Sequence, residues 1–260
     1  MRSVVLSDEL GVEEARVEEA KEKKRGLLKL LVDLIDRPAV TLKYVSEKSG
    51  WLWLRPALLI LVGLVVRGVA TAPQAATLAA REMQRRMLDM PPDQAEAMGQ
   101  QMATFSSPAM IAVFAIVGGI FMTALLWIIG AGALYTLVLF LGGEGSFKQM
   151  FTLMAWTWLP FFLRDLTQAA YVALSGQMVV NAGLSGLVAT GDLAFDGANL
   201  LYIFLAQLDP FFVWHLILVA MGLAALNRFG KTKAVVVGLV YGTVMVGVAL
   251  APALIGRIFS

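Results

Sequence analysis

Cysteine is absent from the 260 residues, and histidine occurs once, as His215. The first absence excludes disulfides, thiolate metal sites and a cysteine nucleophile. The second excludes a metal site built from several imidazoles, and no cofactor is expected. Charge is scarce as well: Asp, Glu, Lys and Arg make up 15% of the chain, against roughly 25% in ordinary soluble domains. The first 25 residues carry no apolar stretch of the kind a cleavable signal peptide needs, because Glu13, Glu14, Glu18, Glu19, Lys21, Lys23, Lys24 and Arg25 crowd together there. Hydrophobic residues fill the rest, at 58%, and mean hydropathy is +0.74. This composition excludes a disordered chain and a nucleic-acid-binding domain. It describes an all-α integral membrane protein.

A membrane-spanning helix needs about 20 mostly apolar residues at 1.5 Å rise each. Five stretches qualify, at about 53–71, 108–141, 151–174, 210–226 and 234–255, within a transmembrane domain of 51–256. Positive charge sets their direction. Eleven Lys or Arg fall in the first 55 residues. With five spans the same side receives Lys148, Arg228, Lys231 and Lys233, which brings it to fifteen of the twenty-one. The other side receives Arg81, Arg85, Arg86 and Arg257. That bias predicts a cytosolic N-terminus and an external C-terminus.

Between and before the spans, the pattern changes. Residues 1–25 read as a charged cytosolic arm. Within 26–50, Leu27, Leu30, Leu31, Leu34 and Ile35 recur at helical spacing, with Lys29, Asp33 and Arg37 interleaved. This predicts an amphipathic helix lying on the cytosolic leaflet, ended or bent by Pro38. Trp51 and Trp53 suit the headgroup belt. The external loop 72–107 is helical in character and divided by Pro91-Pro92. Met83, Met87 and Met90 share one face, and Met98 and Met102 pair at i,i+4. An adaptable apolar face explains these methionines better than a Cu(I) site. Ser107-Pro108 forms an N-cap and N1 pair opening the second span. The loop 175–209 is rich in Gly, Ser and Asn, and residues 200–208 are expected to form a short interfacial helix.

Ionisable groups within lipid are costly, so each is a functional candidate. Arg67 lies in the first span, Arg164 and Asp165 in the third, and Asp209 at the mouth of the fourth, with His215 two turns deeper. The topology brings Arg67, Arg164, Asp165 and Asp209 to one depth, in the outer leaflet. They are expected either to pair and hold the helices together or to line a polar cavity for a lipid headgroup or a partner. His215 is expected to be packed and hydrogen-bonded. Gly183-Leu184-Ser185-Gly186 matches the GxSG of intramembrane serine proteases, with His215 as a conceivable base. The further His and Asn of that pattern are missing, and the serine sits in a loop. Gly238 and Gly242 form a GxxxG for close helix contact.

Four stretches of this chain resemble the YIP family, the Ypt-interacting-protein domain. They are Arg37-Pro38-Ala39 through Trp51 into span one; LFLGGEGSFKQMFTLMAWTWLP at 139–160, the most specific; WHLILVAMGL at 214–223; and FGKTKAVVVGLVYG at 229–242. The likeness covers about 37–256, and five spans is also that family's number. The resemblance implies a non-enzymatic protein of a bacterial inner membrane, in contact with lipids and with another membrane protein such as an ABC-type exporter. It supplies no catalytic residues. Eukaryotic relatives work with small GTPases, but the acidic-then-proline motifs tied to that contact are not evident here, so a GTPase partner is not expected.

Overall fold

The computed structural model describes residues 26–88 and 107–258, together with positions 90, 91, 93, 94, 99 and 105. The charged arm 1–25, and Pro92, Met98 and Met102, lie outside the described residues. All regular structure among the described residues is helical.

Residues Leu27–Asp36 form α1 and Pro38–Glu47 form α2. The residue before a proline is driven out of the helical region. Arg37 accordingly sits at φ −135°, ψ 60°, and Pro38 opens the next helix at N1. Helix α1 keeps the predicted apolar stripe, but its docking differs from expectation. Leu30 and Leu34 are buried in the protein core, and so are Leu42 and Val45 of α2. Leu30 and Leu34 meet protein, in an apolar niche offered by Leu59, Leu159, Pro160, Phe162 and Trp214, while Ile35 of the stripe stays exposed.

Among the described residues, four helices are long and apolar enough to cross a membrane. Helix α3, Leu54–Leu88, runs well past the predicted end of the first span, through Pro73. Much of the expected loop 72–107 is thus its continuation. Helix α4, Pro108–Phe140, starts where predicted: the Ser107 hydroxyl accepts the Met110 amide, and Pro108 stands at N1. Helix α9, Pro210–Asn227, is capped by Asp209, and α10, Lys231–Ile258, follows after Arg228 in a left-handed conformation.

The predicted third span is two helices. Helix α5, Phe147–Thr157, opens with a capping box between Ser146 and Gln149. Helix α6, Leu159–Ser175, ends at Gly176 in the left-handed region (φ +67°). The break has a plain cause. Pro160 has no N–H, and Phe161 N–H donates to Trp158 O, one residue short of an α-helical bond. The Thr157 carbonyl is thereby released from the helix ladder. After α6 come a 3₁₀ turn at Ser185–Leu187, α7 at Leu193–Ala198 and α8 at Leu200–Gln207. Helix α8 is the short helix expected there.

Contacts fix which ends lie together. An added Cβ at Gly143 would meet Phe229, Val138 and Asn227 within about 3 Å, so the turn after α4 packs on the turn between α9 and α10. Lys233 bonds the Leu141 carbonyl at the same end. Arg257 donates to Ala198 O at the other end, the end of the 176–209 loop. Helices α5 and α6 together run from the first end to the second. The core lies between α2, α4, α5, α9 and α10, around Trp156, Leu153, Met154 and Tyr241. Gly238 and Gly242 serve contact inside the bundle, where α10 approaches Leu216 and Ala220 of α9.

Gly143→Ala is expected to cost about 1–3 kcal/mol, because three groups must move at once. Gly118→Ala and Gly132→Ala, where an added methyl meets nothing, are expected to be neutral or slightly stabilising. Melting temperatures of the purified variants in one detergent compare them directly.

Candidate functional site

The polar residues of the bundle form two groups. The first is the charged cluster. Arg67 Nε of α3 stands 3.2 Å from Asp165 Oδ1 of α6, and Arg164 Nη1 of α6 stands 3.2 Å from Asp209 Oδ2. All four predicted residues come together, as two pairs joined through the consecutive α6 residues Arg164 and Asp165. The partners are unequal. The carboxylate side chains are 5% and 10% exposed, while Arg67 and Arg164 are 35% and 32% exposed. Each long guanidinium stem reaches partly out while its carboxylate stays inside. Gly63 of α3 makes the close approach possible, since a Cβ there would meet Phe162 at 2.9 Å and Asp165 at 3.4 Å.

Asp209 has two tasks. Its Oδ1 accepts the Phe212 amide at 2.7 Å and caps α9, while Oδ2 takes Arg164. The capping role was readable from Asp209-Pro210, the same pattern as Ser107-Pro108. Arg164 also lies over the Phe161 ring, 4.6 Å from its centroid. Its Nε is buried with no acceptor.

His215 belongs to the second group. Its Nδ1 is 2.8 Å from Thr157 O, and its Nε2 is 2.9 Å from the Tyr241 hydroxyl. A carbonyl only accepts, so Nδ1 carries the proton and Nε2 accepts from Tyr241. Both ring nitrogens are thus engaged. Trp158, Phe161, Phe212 and Tyr241 surround the ring. Met154 Sδ lies 3.3 Å from the Tyr241 oxygen. The ring buries its polarity by taking the carbonyl that the α5–α6 break released. Thr157 and Tyr241 are functional partners that sequence reading did not find, and Pro160 was the available signal.

Ser185 is buried, but its hydroxyl donates to Ala182 O at 2.7 Å. With both His215 nitrogens bonded elsewhere, the serine–histidine pair considered for a hydrolase is not formed.

The 176–209 loop covers one end of the bundle and has its own anchor. Asp196 accepts from the Thr190 amide at 2.9 and 3.1 Å, from the Thr190 hydroxyl at 2.8 Å and from the Gly191 amide at 3.2 Å. The Thr190 backbone N–H, outweighing the burial of the carboxyl, holds its pKa below the ordinary 3.8. Among the described residues, no group of three or more His, Cys, Asp or Glu has the arrangement of a metal site.

Beside Arg164, between α4, α6, α9 and α10, lies a cavity of about 270 Å³. A shallower apolar groove of about 370 Å³ runs between α3 and α4, past Trp53, Leu64 and Trp127.

Compared with protein families, the chain matches the Yip1 domain over residues 32–251. No curated protein matches it, and no solved structure does.

The charged cluster predicts an asymmetric response. Arg67→Ala strands a buried carboxylate and is expected to cost about 3–5 kcal/mol. Asp165→Asn is expected to cost less, since a third of Arg67 already reaches outward. The double variant Arg67→Met/Asp165→Leu should recover most of the loss. Thermal unfolding of the wild type and these three variants in one detergent compares the losses directly.

Proposed function

The chain belongs to the Yip1 domain family, and from that starting point we propose that it is a non-enzymatic accessory protein of the membrane, a scaffold that binds another membrane protein. One observation carries this reading. Helix α4 holds no charged residue in 33 positions, so its apolar length is roughly 50 Å. The hydrocarbon core is about 30 Å thick, and spanning helices tilt by about 0–40°. Tilt alone would have to exceed roughly 50° to hide this helix in lipid. Its outward side stays apolar from Val113, Phe114 and Phe121 to Phe140. A protein partner covers what lipid does not, and local thickening of the bilayer is the alternative response. An ABC-type exporter is the partner class we favour.

In this reading the chain crosses the membrane five times. Four crossings are α3, α4, α9 and α10. The fifth is α5 with α6, a crossing broken at Trp158, which is supported by the opposite placement of the 142–145 turn and the 176–209 loop. The domain limits follow: a charged arm at 1–25, a docked helical segment at 26–50 and the transmembrane domain at 51–256. The N-terminus and the basic turns face the cytosol of a bacterial inner membrane. The two ion pairs act first as packing, since each charge is matched within the bundle. The second reading makes the same cluster a ligand site of a lipid or small-solute transporter, and it is favoured by the cavity beside Arg164.

A photo-crosslinker replacing Phe114 or Phe121 in cells is expected to give a protein adduct of one defined mass. The same group at Ile217, on the 18-residue α9, should give lipid adducts only. Lipid adducts at all three positions would end the scaffold reading. Topology is tested by cysteine labelling, for which the cysteine-free chain is a clean background. With five crossings, Glu144→Cys and Leu187→Cys are labelled from opposite faces by a membrane-impermeant maleimide, and Gly256→Cys labels with Leu187→Cys. Labelling of positions 144 and 187 from one face would remove the α5–α6 crossing.

A further inference from the structure

We propose that the cavity between α4, α6, α9 and α10 binds one membrane phospholipid, with an acyl chain inside and the phosphate on Arg164. The proposal requires only that the bundle sits in a bilayer, and it stands or falls apart from the scaffold reading.

The cavity's volume, about 270 Å³, is nearly twice the ~150 Å³ engineered cavity that takes up benzene. That suits a length of one acyl chain and not a whole lipid. Its walls are apolar side chains, among them Met122, Phe161, Phe212 and Met245. The polar residues are at the loop end, where Arg164 and Gln207 line it. Gln207 closes α8 and is two residues before Asp209, the partner of Arg164.

The available hydrogen-bonding groups select the headgroup atom. Arg164 Nη1 is held by Asp209, but Nε is buried with no acceptor in the protein. Guanidinium nitrogens donate only. A ligand must therefore bring acceptor oxygens at the mouth and a hydrocarbon chain behind them. A phosphate diester with acyl chains has that order, and Arg–phosphate contacts are strong, directional ones. Asp209 takes Nη1, and the Arg164 side chain, still 32% exposed, lines the cavity.

The test uses the full-length protein, stripped of lipid in a phospholipid-free detergent. Three probes are added in turn: dioleoyl phosphatidylglycerol, dioleoylglycerol with the same chains and no phosphate, and inorganic phosphate. Native mass spectrometry and melting temperature are read together. The phospholipid is expected to bind one-to-one and raise the melting temperature, with each of the other probes at least tenfold weaker. Arg164→Gln should weaken phospholipid binding at least tenfold and leave dioleoylglycerol unchanged. Because that variant frees the Asp209 carboxylate and risks misfolding, Ala249→Phe is the second. It fills the cavity from α10 and should abolish the one-to-one complex while the lipid-free protein melts as before. Gln207→Ala should weaken binding at the mouth alone. Equal binding of dioleoylglycerol overturns the phosphate contact. Stabilisation by inorganic phosphate alone overturns the lipid as source. Undiminished binding by Ala249→Phe overturns the cavity as the place.

Discussion

A carbonyl released from its own helix organises the centre of this molecule. Pro160 cannot donate a backbone hydrogen bond, so the chain turns more tightly at Trp158 and leaves Thr157 O unpaired within its ladder. An unpaired carbonyl in a bilayer is expensive. His215 satisfies it from α9, and Tyr241 satisfies His215 from α10. One break thus links α5, α9 and α10 through two hydrogen bonds. The aromatic rings around His215 bury the imidazole. Neither bond stands alone: a neutral imidazole with Nδ1 protonated is the form that accepts from Tyr241, and the carbonyl selects that form.

The charged cluster works at the loop end of the same bundle. Helix α6 supplies two consecutive residues of opposite charge, and each finds its counterpart on a different helix: Arg67 on α3 and Asp209 at the start of α9. The His215 joint and the two ion pairs therefore hold α3, α5, α6, α9 and α10 by directional contacts. Helix α4 has none in its apolar stretch, and its inner side is held by packing of Trp127, Ala131, Leu134 and Val138. It is also the helix with the longest bare outward side. The element least committed to the interior by polar bonds is the one offered to the surroundings.

Much of this was legible in the sequence. Ser107-Pro108 fixed the start of α4 to the residue, and the hydrophobic runs located the four long helices. The stretch from Gly142 to Pro160 was the most specific of those resembling the YIP family. The structure shows why it is distinctive: a tight glycine turn under Phe229, a Ser146–Gln149 capping box, then a helix that ends where proline removes a donor. The coupling of charges at one depth was readable because period and span length set depth. Which arginine meets which aspartate was not, since that depends on how α3 and α6 rotate about their axes. The role of His215 was half legible. Burial followed from its apolar neighbours, but its acceptor is a main-chain atom, and backbone atoms carry no sequence letter. The burial of Leu30 and Leu34 against protein was not readable for a related reason. A stripe of leucines fits a leaflet and a protein groove equally well, and the groove is made by residues far along the chain.

That distance has a consequence for how the protein is made. Leu42 of α2 packs against the site of Gly222, and α1 rests beside Trp214, both on α9. When the ribosome has delivered α1 and α2, neither α9 nor α5 exists. Until α9 is inserted, the niche for the leucine stripe lacks its Trp214 wall. Leu28, Val32 and Ile35 of α1 stay exposed in the finished protein. The first-made segment therefore completes its packing against the last-made half only once α9 is in place.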